Sequence, residues 1–481
     1  MSSSHSTDYT RFYINGEWVA PLEGRDCAVL DPSTEEPFTN ISLGGEADTN
    51  AAVAAARAAF PSWAASSKEE RLDALKRLKA AYLERADDMA KAISREMGAP
   101  IDMAQSSQMP SGLHHIDDAI RTLERFEFEG DLGEHAPGAR IHHDPIGVVG
   151  MITPWNWPMN QVTLKVAPAL AAGCTMVLKP SEESPISSLI LAECVEAAGI
   201  PAGVFNLVNG DGMGVGSQLS MHPDVDMISF TGSTRAGAAI SKAAADTVKR
   251  VSLELGGKGA NLVFTDADEE AVSRGVRHCF GNSGQSCNAP TRMLVQRDRY
   301  EEAVAQAQQV AESIKVGPAS EHGSHIGPVV NERQYERIQS LIQQGIDDGS
   351  RLIAGGLGRA GGYNKGWFVR PTVFADVQPG STLWREEVFG PVLGITPFDT
   401  EEEGLALAND TRYGLTNYVQ TSDRDRARRL ARLLRSGMVE INGQSRGAGA
   451  PFGGFGQSGN GREGGVWGLE EYLEVKSIGG W

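Results

Sequence analysis

Hydrophobic and polar positions change their rhythm several times along the chain. Over residues 50–97 the apolar positions Leu72, Leu75, Tyr82, Met89 and Ile93 recur at helical spacing. Ser67 with Glu70 makes a capping box inside that stretch, and Gly98 with Pro100 ends it. A second helical stretch is predicted over 101–125. Residues 128–145 read as polar strands and turns.

From 146 to 255 the pattern becomes strand alternating with helix. Short apolar runs fall at 146–153, 175–179, 204–208, 227–231 and 251–255. One intervening helix is predicted to open with Ser184 as N-cap and Pro185 at its first position, with Gly199 just past its end. Such alternation predicts an α/β fold with a parallel, doubly wound, Rossmann-like sheet, whose ligands sit beyond the carboxyl ends of the strands. The alternation restarts after Gly259, with runs at 260–264, 292–295 and 390–397, and predicts a second α/β domain. The tail, 469–478, alternates like an edge strand.

Composition narrows the function. Lys and Arg number 44 against 62 Asp and Glu, a formal net charge of -18, so a nucleic-acid partner is not expected. Glycine, 56 of 481 residues, is about 12% against a usual ~7%, which implies many tight turns and close backbone approaches. The most apolar stretch, 162–178, is broken by Lys165 and Pro168 and is too short to span a membrane. Residues 1–10 are polar and show no secretory leader. Five widely spaced cysteines fit reduced thiols in a cytoplasmic protein. No metal site is expected: CxxC and HExxH motifs are absent, and the adjacent His142 and His143 read as surface or packing residues.

Among the thiols, Cys27, Cys174, Cys194 and Cys279 read as inert core. Cys287 lies in the polar, glycine-containing segment Asn282-Ser283-Gly284-Gln285-Ser286-Cys287-Asn288, where it is either an accessible nucleophile or a packed turn residue. Glu254 ends a strand before Gly256 and Gly257. It reads as a solvated strand carboxylate or as a general base for water. Asn156, between Trp155 and Trp157 and flanked by Pro154 and Pro158, offers an amide to an oxyanion or closes an Asx turn. Residues 230–237 follow a strand and open a helix, where Gly232 and Ser233 would offer N–H and O–H groups to a pyrophosphate. Lys179 and Glu182 close another strand, facing either ribose hydroxyls or solvent.

Taken together and in order, these segments resemble the NAD(P)-dependent aldehyde dehydrogenase superfamily. The matching blocks are Pro154 to Pro158, Leu178-Lys179-Pro180-Ser181-Glu182, Phe230 to Thr234, Glu254-Leu255-Gly256-Gly257-Lys258, Asn282 to Cys287, Glu387-Val388-Phe389-Gly390-Pro391 and Pro451-Phe452-Gly453-Gly454-Phe455. They span nearly the whole chain. The resemblance implies Cys287 as nucleophile, Glu254 as base, and Asn156 with the Cys287 backbone N–H as oxyanion hole. It implies Lys179 and Glu182 on the adenosine ribose, Trp155 and Ser233 along the pyrophosphate, Glu387 on the nicotinamide ribose and Phe389 against the ring. Trp157, Gln161, Ser286, Asn288 and Arg446 are pocket candidates. Arg446 reads either as a loop residue in solvent or as a site for a carboxylate-bearing semialdehyde. Two departures, Gly456 in place of a usual lysine and Cys174 in place of a polar residue, do not touch this chemistry.

The expected organisation is an NAD-binding domain (1–126 and 146–256), a catalytic domain (257–456) and a small β oligomerisation element (127–145 and 467–481). A homodimer or homotetramer is expected. NAD is expected over NADP, because Glu182 near the ribose would repel a 2′-phosphate. The alternatives are a CoA-acylating dehydrogenase, a type that generally lacks the glutamate, and a catalytically silent structural relative.

Overall fold

The apolar runs in the middle of the chain become strands buried on both faces. In the computed structural model, which describes residues 8–480, Val149 and Met151 pack into one core while Val148 and Ile152 of the same strand pack into another. Thr175–Lys179 repeats this, with Met176 and Leu178 on one side and Val177 on the other. Continuous apolar runs, rather than alternating ones, are what a parallel sheet covered by helices on both faces requires.

The first sheet has seven strands. Its order is Arg250–Glu254, Met227–Thr231, Val148–Ile152, Thr175–Lys179, Phe205–Leu207, Phe12–Ile14 and Glu17–Val19. The first five are parallel and the last two antiparallel. The chain starts the parallel part in the middle, adds strands to one side, then crosses to the other. A crevice therefore opens between Val148–Ile152 and Met227–Thr231, at the switch point where such sheets take ligands. The second sheet also has seven strands, drawn from between Ala260 and Ile441, and is parallel except for Arg351–Ala354 at its edge. A three-stranded antiparallel sheet joins Glu129–Asp131, Ala139–Pro145 and Leu473–Gly479. Arg25–Asp31 pairs with Glu36–Leu43 as a separate hairpin.

One late segment returns to the first sheet. Gly459 bridges Glu254, the Leu255 N–H donates to the Ser458 carbonyl at 2.9 Å, and the Leu253 N–H donates to Asn460 Oδ1 at 2.9 Å. Residues far along the chain thus close over the end of the strand that carries Glu254.

Two expectations are corrected. Residues 50–97 are not one helical run but belong to three helices, Glu46–Ala64, Lys68–Glu84 and Ala86–Met97. The second does open on the Ser67/Glu70 capping box, and Gly98 ends the third in the left-handed conformation. The helix predicted to be capped by Ser184 runs Ile186–Ala197 with Pro185 at its cap, and Glu96 from a distant helix does the capping. Its carboxylate accepts from the N–H groups of Ile186 (2.6 Å) and Ser187 (3.1 Å) and from the Ser187 hydroxyl (2.6 Å). Gly199 does lie just past that helix with φ +62°. The leader expectation for the N-terminus falls largely on residues 1–7, outside the described residues. Among the described residues no helix is long and apolar enough to cross a membrane.

Glu96→Ala strands two buried N–H donors, so it should cost about 3 kcal/mol, against about 1 kcal/mol for Ser67→Ala at the half-solvated capping box. Urea unfolding of the two variants checks this, and equal midpoints would remove the capping role from Glu96.

Candidate active site

The nucleophile candidate is presented by a turn in an unusual conformation. After the helix Ala271–Phe280, Asn282 (φ 53°), Ser283 (φ 57°) and Gly284 (φ 72°) all take left-handed backbone angles. Side chains disfavour that region by about 1–2 kcal/mol per residue, so contacts must hold the turn. At Gly284 a Cβ would lie 2.1 Å from the Gly390 carbonyl oxygen, so no side chain fits. Ser283 Oγ donates to the Gly327 carbonyl (2.7 Å), and Asn282 Nδ2 donates to the carbonyls of Asn156 (2.9 Å) and Gln285 (3.2 Å).

Asn156 is tied into the same network. It is buried, and its Nδ2 donates to the Gln285 carbonyl at 3.0 Å. An amide nitrogen carries two N–H groups, so one is left to aim at a ligand. Gln108, fully buried in the π-helical turn Ala104–Gln108, donates to both the Asn156 carbonyl and Asn282 Oδ1 at 3.2 Å. The sequence reading missed Gln108. A π-helical turn inside a longer helix leaves no periodicity mark.

A cleft of about 190 Å³ opens on this turn. Trp155, Asn156, Gly232, Ser233, Cys287, Glu387 and Phe389 line it, as do Thr231, Gln334 and Arg337, which the sequence reading did not single out. Trp155 and Phe389 meet edge to face, with ring centroids 5.5 Å apart and planes at 86°. Phe389 itself has φ 57°, and Gln334 Nε2 pins its carbonyl at 2.8 Å. Glu387 Oε1 accepts from the Gly257 N–H at 2.9 Å, and a Cβ at Gly256 would lie 2.3 Å from Glu387 Oε2. Those two glycines let a carboxylate lie against the backbone. Ser233 caps the helix Thr234–Ala244 at the cleft wall.

Lys179 and Glu182 lie outside that lining. Lys179 Nζ is buried and donates to the carbonyls of Gly210 (2.6 Å) and Pro180 (2.7 Å), with Glu182 3.6 Å away. The pocket candidates lie outside that lining as well. Trp157 Nε1 donates to Ser286 Oγ at 2.8 Å, the Tyr418 hydroxyl donates to the Asn288 carbonyl, and Gln161 is buried with its Oε1 unpartnered. Arg446 stacks over the Phe452 ring and stands 3.8 Å from Glu440.

Glu254 is not a solvated strand carboxylate. It is 2% exposed, and neither of its oxygens has a hydrogen-bond partner among the described residues. A Cβ on Gly453 would lie 2.8 Å from its Oε1 and one on Gly461 3.3 Å, so those glycines make its berth. Burial, and then the nearby Glu463 carboxylate, push its pKa well above the usual carboxylate range, while Lys165 and Arg462 pull the other way. Lys165 and Glu463 form a buried ion pair beside it, 298 positions apart in the chain. Glu387 is raised to about 7, mainly by burial and against its Gly257 hydrogen bond.

Cys287 is half-buried at the base of the cleft, whereas Cys174, Cys194 and Cys279 are core. Burial, then the charges of Glu387 and Glu254, push its thiol up to about 12.

Residues 18–478 match the model of the aldehyde dehydrogenase family. The chain belongs to the aldehyde dehydrogenase family. The reaction class that goes with the family is NAD-dependent oxidation of an aldehyde. This aldehyde dehydrogenase is 50% identical to a 3-succinoylsemialdehyde-pyridine dehydrogenase of a Pseudomonas species, over 98% of this chain and 99% of that protein. It superposes on the aldehyde dehydrogenase of Bartonella henselae with TM-score 0.97 and 56% identity, covering 98% and 99% of the two chains. A mutant of aldehyde dehydrogenase C from Pseudomonas syringae, solved with NAD+ and octanal, matches with TM-score 0.96 and 49% identity, covering 98% of this chain and 96% of that one.

With its pKa pushed up to about 12, Cys287 is overwhelmingly thiol at pH 8. Alkylation of Cys287 by iodoacetamide in the ligand-free enzyme should therefore keep rising about tenfold per pH unit from 7 to 10. A plateau below pH 9 would show that the thiol is activated before anything binds.

Proposed function

We propose that this enzyme oxidises an aldehyde to its carboxylic acid with NAD, through a covalent intermediate on Cys287. The observation that carries the reading is the shared cleft: a half-buried thiol and a buried amide, Asn156, held by one hydrogen-bond network beside a crevice at the sheet's switch point. The cleft suits a dinucleotide. Thr231 Oγ1 is buried without a partner on its wall, and Gly232, Ser233 and the helix N-terminus behind them offer donors to a pyrophosphate. Trp155 would lie along the pyrophosphate, Glu387 would bind the nicotinamide ribose, and Phe389 would lie against the ring. Lys179 and Glu182 would hold the adenosine ribose. When bound, NAD supplies the hydride acceptor.

Cys287 gives its proton to water in the cleft and attacks the carbonyl carbon as thiolate, opening the C=O π bond. The oxyanion of the resulting thiohemiacetal is held by the spare N–H of Asn156 and the backbone N–H of Cys287, each such donor being worth about 3 kcal/mol. Loss of hydride leaves a thioester. Glu254, whose burial makes it a stronger base than an ordinary carboxylate, takes a proton from water, and hydroxide releases the acid. Trp157, Gln161, Ser286, Asn288 and Arg446 form the substrate side. No metal takes part in this scheme.

Organisation and setting are read in the same way. The cofactor domain is assigned to 1–126 and 146–256, the catalytic domain to 257–456, and the oligomerisation strands to 127–145 and 467–481. The exposed Val475 on the outer strand favours a homodimer or homotetramer paired along that edge. Five free cysteines favour the reducing cytoplasm.

Glu254→Gln should acylate but not deacylate, giving one burst of NADH per active site in a stopped-flow trace. Unchanged steady turnover would place the base elsewhere. With Glu182 near the ribose, kcat/KM should favour NAD over NADP by at least about tenfold, as expected for a carboxylate facing a 2′-phosphate. A preference for NADP would remove that role from Glu182.

A further inference from the structure

We propose that Arg446 reads the substrate's far end, and that the preferred aldehyde carries an anionic group there, a carboxylate at the end of its chain. The inference deepens the aldehyde-oxidation reading and rests on it.

The position comes first. Arg446 lies in the exposed segment after the strand Met438–Ile441. In that strand Glu440 stands in register with Tyr418. The Tyr418 hydroxyl donates to the carbonyl of Asn288, the residue after the nucleophile. Arg446 leans on this short path, 3.8 Å from Glu440, with its guanidinium carbon 4.6 Å above the Phe452 ring. Its charge is near enough to Cys287 and Glu254 to act on both.

The state of its donors comes second. The side chain is two-thirds buried, 33% exposed, yet none of its five N–H groups makes a hydrogen bond among the described residues, and 3.8 Å to Glu440 is too long for one. Other buried arginines of this protein behave differently. Arg292 donates to three carbonyls, and Arg71 to four carbonyls and a hydroxyl. A planar fork held by ring stacking and left without acceptors is suited to a carboxylate, which it can grip through two parallel bonds.

The field comes third. Glu254, Glu387 and Glu440 all lie around this end of the molecule, and the whole chain carries -18. Arg446 is the cation that stands against Glu440 on this side, and an anionic tail bound there would complete the guanidinium. A neutral alkyl tail would cover those donors and satisfy none of them.

The test uses the full-length enzyme with NAD and two linear aldehydes of equal length, one ending in a carboxylate and one in a methyl group. The wild type should favour the carboxylated aldehyde in kcat/KM by about tenfold or more. Arg446→Met should abolish that preference, with KM for the carboxylated aldehyde rising about tenfold, and Arg446→Lys should keep part of it. The preference should also shrink as salt is added. Calorimetry with a linear dicarboxylic acid, which needs no turnover, should show binding to the wild type and loss of binding in Arg446→Met. A wild-type preference for the methyl-ended aldehyde, or equal dicarboxylate binding by the two proteins, would overturn the assignment. Failure to oxidise either aldehyde while the dicarboxylate still distinguishes Arg446→Met would instead count against the reaction and leave the anion site supported.

Discussion

The site depends on one strained turn. Three consecutive left-handed residues, Asn282 to Gly284, set the direction in which the chain enters Cys287, and the fold over-determines them with hydrogen bonds from three separate parts of the chain. Strain of this kind persists only where surrounding structure enforces it. Here the enforcing groups are also the working ones. Asn156 is held by the carbonyl of Gln285 and holds Asn282 through its own carbonyl, so sulfur and amide cannot drift apart independently.

The second constraint is electrostatic. Acidic side chains crowd the thiol, and most lie out of water: Glu254 and Glu387 act on it directly, with Glu463 and Glu440 behind them. Burial first, and then their charges, keep the thiol and the carboxyls of Glu254, Glu387 and Glu440 protonated more than they would be in solution. That is a resting arrangement. It leaves Cys287 mostly as thiol before anything binds. Arg446 is a fixed cation on the substrate side, and its pull on Cys287 is the weakest of the influences acting there.

Much of this was legible in the sequence where burial is local. Thr175–Lys179 and Met227–Thr231 were read to the residue because a strand covered on both faces must be uniformly apolar. Three-residue strands such as Phe12–Ile14 and Glu17–Val19 left no pattern long enough to see. The break after Ala64 was marked by the Ser67/Glu70 capping box alone, and the one at Arg85 carries neither glycine nor proline, so the third helix went unseen. Long-range burial was illegible altogether. Lys165 looked like an interruption of an apolar segment, and Glu254 as much a solvated strand end as a base. Each is buried by residues beyond 450 that share no local pattern with it.

That last fact bears on how the protein is made. The strand ending at Glu254 is closed by Ser458, Gly459 and Asn460, and the berth of its carboxylate is built from Gly453 and Gly461. A ribosome releases the nucleophile long before it releases those residues, and contacts of such sequence separation form late. During synthesis Cys287 therefore waits without its finished surroundings, and the C-terminal segment acts as a completion step: a chain shortened before about residue 463 lacks residues that close over and surround Glu254.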